Sequence, residues 1–218
     1  MIDMNVKNRA VLFDLDGVII DSEGLYTEFW NDMDCRYPTG IDGFSLKIKG
    51  STLPKIFDAY FPNPNVRDEI SDLLAAFEAD MKPELYPGIC PMIESLREAG
   101  FSTAIVTSSN LSKMKKLFDR LPQIRQLFDV VLTDADVVNS KPDPEGYIKA
   151  AEALGCRPCD CVVFEDSFAG IEAGRRAGGK VVGVATTNHY DKLEPLADLV
   201  VHNTADVSAE MLFNLLAR

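Results

Sequence analysis

The sequence predicts an α/β fold in which a doubly wound parallel sheet carries a small all-helical domain inserted after the first strand. Three observations support this prediction. An apolar strand over residues 9–14 ends in an acidic residue. Residues 22–83, which come next, contain no convincing strand. From Tyr86 onward helices and strands alternate, which is typical of a parallel sheet with helices on both faces.

The inserted stretch is predicted to be helical because its apolar residues recur at helical spacing. They are Leu25, Phe29 and Met33 in its first part and Ile70, Leu73, Leu74, Phe77 and Met81 in its last part. Prolines and glycines between the two groups break the stretch into short helices. We therefore expect residues 1–21 and 84–218 to form a core domain and residues 22–83 to form a helical cap domain.

The chain after Tyr86 supplies the rest of the core. Strands are expected over residues 101–107, 129–133, 161–165, 180–185 and 198–201. Two helices precede the second of these strands: the first is marked by Ile89, Met92, Ile93 and Leu96, and the other, after the strand at 101–107, is marked by Met114, Leu117, Phe118 and Leu121. Further helices are expected over 144–154, 168–177 and 207–216. In an open sheet of this kind, the functional site lies at the carboxyl ends of the strands.

Composition limits the possible partners. The net charge of −12 argues against nucleic acid or an anionic membrane surface as the main partner. The chain has no apolar run near the ~20 residues that a spanning helix needs, and its polar N-terminus lacks the core of a signal peptide. We expect a cytoplasmic monomer with five free cysteines. The cysteine-rich run 156–161 lacks the further ligands of a zinc site and is expected to lead into a strand.

Polar residues are predicted to meet where four successive strands end. They are Asp14 and Asp16, then Thr107, then Lys141 in a loop, then Glu165 and Asp166. Carboxylates gathered in one crevice repel each other unless a cation holds them. A hard dication with oxygen ligands is suitable, and with phosphates it is usually Mg²⁺. A lysine and a hydroxyl supply a charge and a donor for a phosphoryl group.

This set of residues can perform phosphoryl transfer. A carboxylate can attack phosphorus and form an acyl-phosphate, and a second acid two residues later can donate a proton to the leaving oxygen. Each residue also has an ordinary structural interpretation, such as Thr107 as a helix N-cap or Lys141 as a solvated loop lysine. Their order at four strand ends favours the chemical interpretation. The expected partner is a small phosphorylated metabolite.

With these residues in place, the sequence resembles the haloacid dehalogenase superfamily. Residues 13–22 match its first motif, Thr107 the second, Lys141 the third and Glu165-Asp166-Ser167 the fourth. The chain is similar to the branch that contains beta-phosphoglucomutase and sugar-phosphate phosphatases. That branch has a Rossmann-like core and carries a helical cap between the first and second motifs.

The resemblance implies a role for each motif residue. Asp14 would be the nucleophile, and Asp16 would be the general acid and base. The Mg²⁺ ligands would be Asp14, the backbone carbonyl of Asp16, Glu165 and Asp166. The phosphoryl oxygens would be bound by Thr107, Lys141 and the backbone N–H of Ser108 at the start of the following helix.

The expected cap differs from that of the mutases at two places. Mutases have a histidine twelve residues after the nucleophile, where this chain has Tyr26, and an arginine shortly after a Lys-Gly pair. Here residues 49–53 read Lys-Gly-Ser-Thr-Leu. We therefore expect a phosphatase, with a phosphomutase as the alternative. The cap residues expected to contact the leaving group are Tyr26, Lys49, Ser51 and Thr52.

Three other classes of protein are less compatible with the sequence. A receiver domain also places acids, a hydroxyl and a lysine around Mg²⁺, but its phosphorylated aspartate lies well downstream of an acid pair and it has no helical insertion. A silent binding protein on this fold would not need the complete set of motif residues. A dehalogenase acting on carbon would not need the metal pair Glu165 and Asp166.

Overall fold

A parallel sheet of six strands forms the centre of the molecule, in the order β5-β4-β1-β6-β7-β8. The computed structural model describes residues 8–82 and 84–218, so residues 1–7 and Pro83 of the expected domains lie outside the described residues. The strands are β1 (Arg9–Phe13), β2 (Ile20–Asp21), β3 (Glu84–Leu85), β4 (Phe101–Val106), β5 (Val130–Leu132), β6 (Cys161–Glu165), β7 (Lys180–Val184) and β8 (Leu199–Val201). Strands β2 and β3 form a separate antiparallel ribbon.

Helices cover both faces of the sheet and form the inserted segment. They are α1 (Glu23–Arg36), α2 (Phe44–Lys47), α3 (Leu53–Tyr60), α4 (Pro64–Asp80), α5 (Ile89–Glu98), α6 (Leu111–Arg120), α7 (Pro122–Gln126), α8 (Glu145–Ala153), α9 (Phe168–Ala177), α10 (Tyr190–Leu193) and α11 (Ala209–Leu216). Three short 3₁₀ helices connect other elements, at Asp134–Asp136, Pro158–Asp160 and Thr204–Asp206.

Two apolar clusters lie on opposite faces of the sheet, because successive side chains of a strand point to opposite sides. Val11 and Phe13 of β1 pack in the cluster that includes α5, α6 and α11. Ala10 and Leu12 pack in the cluster that includes α8 and α9. This arrangement confirms the predicted doubly wound sheet.

The helices α1–α4 pack around an apolar cluster of their own. Its buried members are Trp30, Met33, Phe44, Ile48, Ile56, Phe57, Phe61 and Ile70. The segment joins the sheet domain through the ribbon of β2 and β3, and Arg120 of α6 donates hydrogen bonds to the carbonyls of Ala79 and Met81. The separate core is the observation behind our proposal that residues 22–83 are a cap domain.

The elements predicted after Tyr86 lie within two residues of their observed ends. Helices α7 and α10 and the ribbon of β2 and β3 were not predicted, because they are too short to show a hydrophobic period. All five cysteines are free, and Cys161 begins β6 as expected. Among the described residues, none of the helices is both long and apolar enough to cross a membrane.

Candidate active site

The central strands bring the predicted residues to one edge of the sheet. Phe13, the last residue of β1, lies opposite Ile105 of β4 and Phe164 of β6. Asp14 therefore lies level with Glu165 and with Val106, the residue before Thr107, and its backbone N–H donates to the Phe164 carbonyl at 3.0 Å.

A tight turn after β1 holds the second aspartate at the same edge. The carbonyl of the buried Leu15 accepts hydrogen bonds from the N–H groups of Ile19 and Ile20, at 2.8 and 3.0 Å. Gly17 has a φ of 82°, and a Cβ atom there would overlap the carboxylate of Asp166. Glycine at this position therefore allows the turn to pass directly over the acidic residues.

Three buried carboxylates form the centre of the site. Asp14, Glu165 and Asp166 each offer an oxygen, and these atoms lie within 4.8 Å of one another. Burial, opposed by Lys141, raises the pKa of Asp14 to about 8. Burial and the neighbouring Glu165 raise the pKa of Asp166 well above its ordinary value. Because ionised oxygens crowded in this way need a counter-charge, the set fits a hard divalent cation.

Lys141 contacts Asp14, the candidate nucleophile. Its Nζ donates to Asp14, to Oε1 of Glu165 at 2.6 Å and to the Val106 carbonyl at 3.1 Å. Burial disfavours the ammonium, but Asp14 and Glu165 outweigh burial and raise the pKa of Lys141 well above its ordinary value. The residue is therefore a fixed positive charge at neutral pH.

Glu165 is fully occupied by protein donors. Its Oε1 accepts from Lys141 and from the Tyr147 hydroxyl at 2.9 Å. Its Oε2 accepts from the N–H groups of Asp166 and Ser167 and from the Ser167 hydroxyl, at 3.0–3.1 Å. A Cβ atom at Gly170 would overlap this carboxylate. These five hydrogen bonds suit a residue that holds Lys141 in place.

Asp16 is paired with Lys113, a lysine that belongs to none of the predicted motifs. Both its oxygens lie 2.6 Å from Nζ of Lys113, and they also accept hydrogen bonds from the hydroxyls of Ser22 and Ser109. Burial acts to raise the pKa of Asp16, but Lys113 and these donors prevail and lower it. Lys113 also lies over the ring of Tyr26, 4.4 Å from its centroid.

The residues after β4 face the same space. Thr107 Oγ1 accepts from the Ser109 N–H at 3.0 Å, and the Ser108 hydroxyl donates to the Gly50 carbonyl of the helical segment at 3.0 Å. The expectation that Ser108 stands at the helix start is wrong, because α6 is capped by Asn110, whose side chain accepts from the Lys113 N–H.

A cavity of about 130 Å³ lies between the sheet domain and the helical segment. The predicted residues on its wall are Asp14, Asp16, Thr107, Ser108, Asp166, Tyr26, Lys49 and Ser51. Lys141 and Glu165 do not line this cavity, but Lys141 contacts Asp14, which does. Thr52 does not line the cavity but precedes α3, where its carbonyl accepts from the Ile56 N–H at 3.0 Å.

Four further residues contribute to the site although no motif identified them. They are Lys113, Tyr147, Glu23 and Glu78. Two of them carried a signal in the sequence. Lys113 lies four residues before Leu117, and Glu78 lies four residues after Leu74, so each is a charged residue on the apolar face of its helix.

Known proteins match this chain over most of its length. A family model described as haloacid dehalogenase-like hydrolase matches residues 11–184. The validoxylamine A 7'-phosphate phosphatase of Streptomyces hygroscopicus subsp. limoneus is 33% identical over 206 residues, which cover 91% of this chain and 95% of that protein. The bifunctional riboflavin kinase/FMN phosphatase of Arabidopsis thaliana is 31% identical over 209 residues, and the match spans 93% of this chain but only 55% of that protein.

A solved structure shares the fold. The crystal structure of beta-phosphoglucomutase from Clostridium difficile matches with a TM-score of 0.78 and 23% identity, covering 96% of this chain and 97% of that chain. Phosphatases and a phosphomutase are thus both similar to the chain.

Proposed function

The chain belongs to the haloacid dehalogenase-like hydrolase family, and from this premise we propose that it is a Mg²⁺-dependent phosphatase that hydrolyses a small phosphate monoester through an aspartyl-phosphate on Asp14. The observation that carries the proposal is the environment of Asp14. This residue shares a buried cluster with Asp166 and Glu165 and contacts the ammonium of Lys141. A nucleophilic carboxylate that attacks an anionic ester needs such compensating charge.

Asp14, Asp166 and the backbone carbonyl of Asp16 would hold the Mg²⁺ ion, with Glu165 beside them. When bound, the ion would offset the negative charge of the carboxylates and the phosphoryl oxygens. Because the oxygens of Glu165 already accept five hydrogen bonds, we propose that its main role is to position Lys141.

Each bond change and each proton transfer of the reaction can then be assigned to a group of the protein. An Asp14 oxygen forms a bond to phosphorus while the bond to the ester oxygen breaks. Asp16, which Lys113 holds ionised in this structure, first takes up a proton from solvent and then gives it to that oxygen. Lys141, Thr107 and the N–H of Ser108 bind the phosphoryl oxygens. In the second step water attacks the phosphorus, Asp16 takes a proton from that water, and Asp14 is released with inorganic phosphate.

The cap side of the cavity favours hydrolysis over mutase chemistry. A mutase must hold a second phosphate while its substrate binds in two opposite orientations. Arginine is suited to that task. Here Lys49 lines the cavity without an arginine nearby in sequence, and its Nζ lies 2.6 Å from Oε2 of Glu23. The lysine is therefore already neutralised. A cytoplasmic monomer remains our prediction.

The proposed function is tested by measuring two products at once. With beta-glucose 1-phosphate and a catalytic amount of the 1,6-bisphosphate, we expect little glucose 6-phosphate, because each lysine among the described residues that line the cavity is already paired with an acid. A panel of small phosphate esters, assayed in parallel with Mg²⁺ or with EDTA, should release phosphate only with the metal. Formation of glucose 6-phosphate much faster than phosphate release from any ester would favour the phosphomutase.

Cation binding is expected to release protons. Asp14, whose pKa is raised to about 8, carries a proton at pH 7 in the metal-free protein, and a metal ligand must be deprotonated. Titration calorimetry with Mg²⁺ in two buffers of different ionisation heat should show proton release that is larger at pH 7 than at pH 9. Heats that do not depend on the buffer at pH 7 would contradict the assignment of Asp14 as a ligand.

A further inference from the structure

The cap side of the cavity carries an acid, Glu78, that forms no ion pair with any lysine in the part of the chain that the structure describes. Two lysines line the cavity, and each is paired with a different acid: Lys49 with Glu23 and Lys113 with Asp16. Glu78 of α4 also lines the cavity and is 9% exposed. Among the described residues its one hydrogen-bond partner is the Tyr26 hydroxyl, which donates to Oε1 at 3.0 Å.

The Tyr26 hydroxyl orients Glu78 without neutralising it. Burial, Asp16 and Glu78 itself raise the pKa of Tyr26 well above its ordinary value, so the phenol keeps its proton and donates. The ring of Tyr26 is held edge-on by Phe77 at 5.3 Å between centroids. Glu78 is thus fixed in direction and can accept further hydrogen bonds from a molecule in the cavity.

Apart from Glu78 and the ion pair of Lys49 with Glu23, the described cap residues on the wall are apolar or uncharged. Trp30, Leu53, Ile56 and Leu74 contribute carbon surface, and Ser45, Ser51 and Thr27 contribute hydroxyl groups. Such a wall can contact the carbon chain of a polyhydroxylated molecule while the carboxylate takes its hydroxyl protons. A second phosphate or a carboxylate would face Glu78, while both lysines among the described lining residues are already paired with other acids.

We infer that this wall is a subsite for the leaving group, in which Glu78 accepts hydrogen bonds from the hydroxyls of an uncharged polyol or sugar, so that the substrate carries one phosphate and no second anionic group. The inference rests on the proposed phosphatase function and specifies its substrate class. Tyr26 acts as a positioning residue for Glu78.

The experiment compares substrates that differ at the end far from the phosphate. Glucitol 6-phosphate and 6-phosphogluconate have the same six-carbon chain but end in a hydroxyl and in a carboxylate, respectively. For phosphate release with Mg²⁺, we expect kcat/KM to be at least about tenfold higher for glucitol 6-phosphate, because a hydrogen bond to a charged acceptor is worth about that factor. Glucose 6-phosphate and glucosamine 6-phosphate test whether an ammonium is the preferred donor.

Glu78→Gln removes the charge and keeps the shape. We expect it to raise KM for glucitol 6-phosphate about tenfold and to reduce the preference over 6-phosphogluconate, because the hydroxyls of the leaving group lose a charged acceptor. Tyr26→Phe should act in the same direction with a smaller effect. Asp72→Asn, which removes an exposed acid from the same helix, is the matched control and should change none of these values. Thermal unfolding establishes that each variant folds.

The possible failures are distinguishable. An unchanged ratio between the two six-carbon substrates in Glu78→Gln would overturn the subsite while leaving the phosphatase function in place. A wild-type preference for 6-phosphogluconate, or for glucosamine 6-phosphate over glucose 6-phosphate by more than about tenfold, would overturn the choice of an uncharged polyol. Absence of p-nitrophenyl phosphate hydrolysis would refute the proposed function, and the subsite with it.

Discussion

Replacement of Asp14 by asparagine is expected to abolish turnover of every phosphate ester. The variant keeps the volume of the side chain but loses the oxygen nucleophile, and loss of a covalent nucleophile costs on the order of 10⁴-fold or more in kcat. It also removes one ligand of the proposed cation. Phosphate release under substrate excess is the measurement, and Asp119→Asn, which changes an exposed acid on α6, is the matched control.

Loss of activity in Asp14→Asn should not come from unfolding. The pKa of Asp14 is raised to about 8 in the folded protein, from 3.8, so the metal-free folded state binds this proton more tightly than the unfolded state. Stability is therefore lost as the pH rises between these two values. Asparagine carries no such penalty, and at pH 8 the metal-free variant should have a free energy of unfolding no lower than that of the wild type. Residual activity above a small fraction would contradict the assignment of the nucleophile.

Replacement of Asp16 by asparagine is expected to slow hydrolysis of alkyl phosphates about 10²–10⁴-fold, the usual contribution of a positioned acid or base. A nitrophenolate leaving group needs no proton, so p-nitrophenyl phosphate should suffer less. The ratio of the two losses is the measurement. Equal losses for both kinds of ester would argue that Asp16 does not protonate the leaving oxygen.

The pairing of Asp16 with Lys113 calls for a second variant. Asparagine at position 16 leaves a buried ammonium without its counter-charge, and breaking a buried ion pair costs roughly 3–5 kcal/mol. Asp16→Asn combined with Lys113→Met removes both charges, and it should recover most of this loss in thermal unfolding. The double variant should remain as slow on alkyl phosphates as Asp16→Asn. Recovery of both stability and activity would show that the single substitution acted through the fold.

The sequence predicted those parts of the site that local rules determine. A parallel sheet places its strand ends at one edge, so Asp14, Thr107 and Glu165 could be expected to meet before any coordinates were known. The chemical role expected of each of these residues followed from its residue type. The apolar period of α4 likewise predicted that Ile70 and Leu74 would be buried.

Other features depend on contacts that local patterns do not encode. Lys113 and Asp16 are 97 residues apart, and the hydrogen bond from Tyr26 to Glu78 spans 52 residues of the inserted segment. The ribbon of β2 and β3 contains two residues per strand, too few for an alternating pattern. The remaining signal for Lys113 and Glu78 was a charged residue on the apolar face of a helix. Its role can be assigned only when the residues packed against that face are known.

The separate apolar core of the inserted helices also has a consequence for protein engineering. No residue of that core belongs to either cluster on the sheet faces, so the segment does not complete the sheet domain. The chain crosses between the two parts twice, and both crossings lie at the ribbon of β2 and β3. We therefore expect the helices to be replaceable: on the proposed subsite, a segment grafted from a relative between Asp21 and Glu84 should exchange selectivity for the leaving group, provided that it keeps a hydroxyl at position 22, because the Ser22 side chain donates to Asp16.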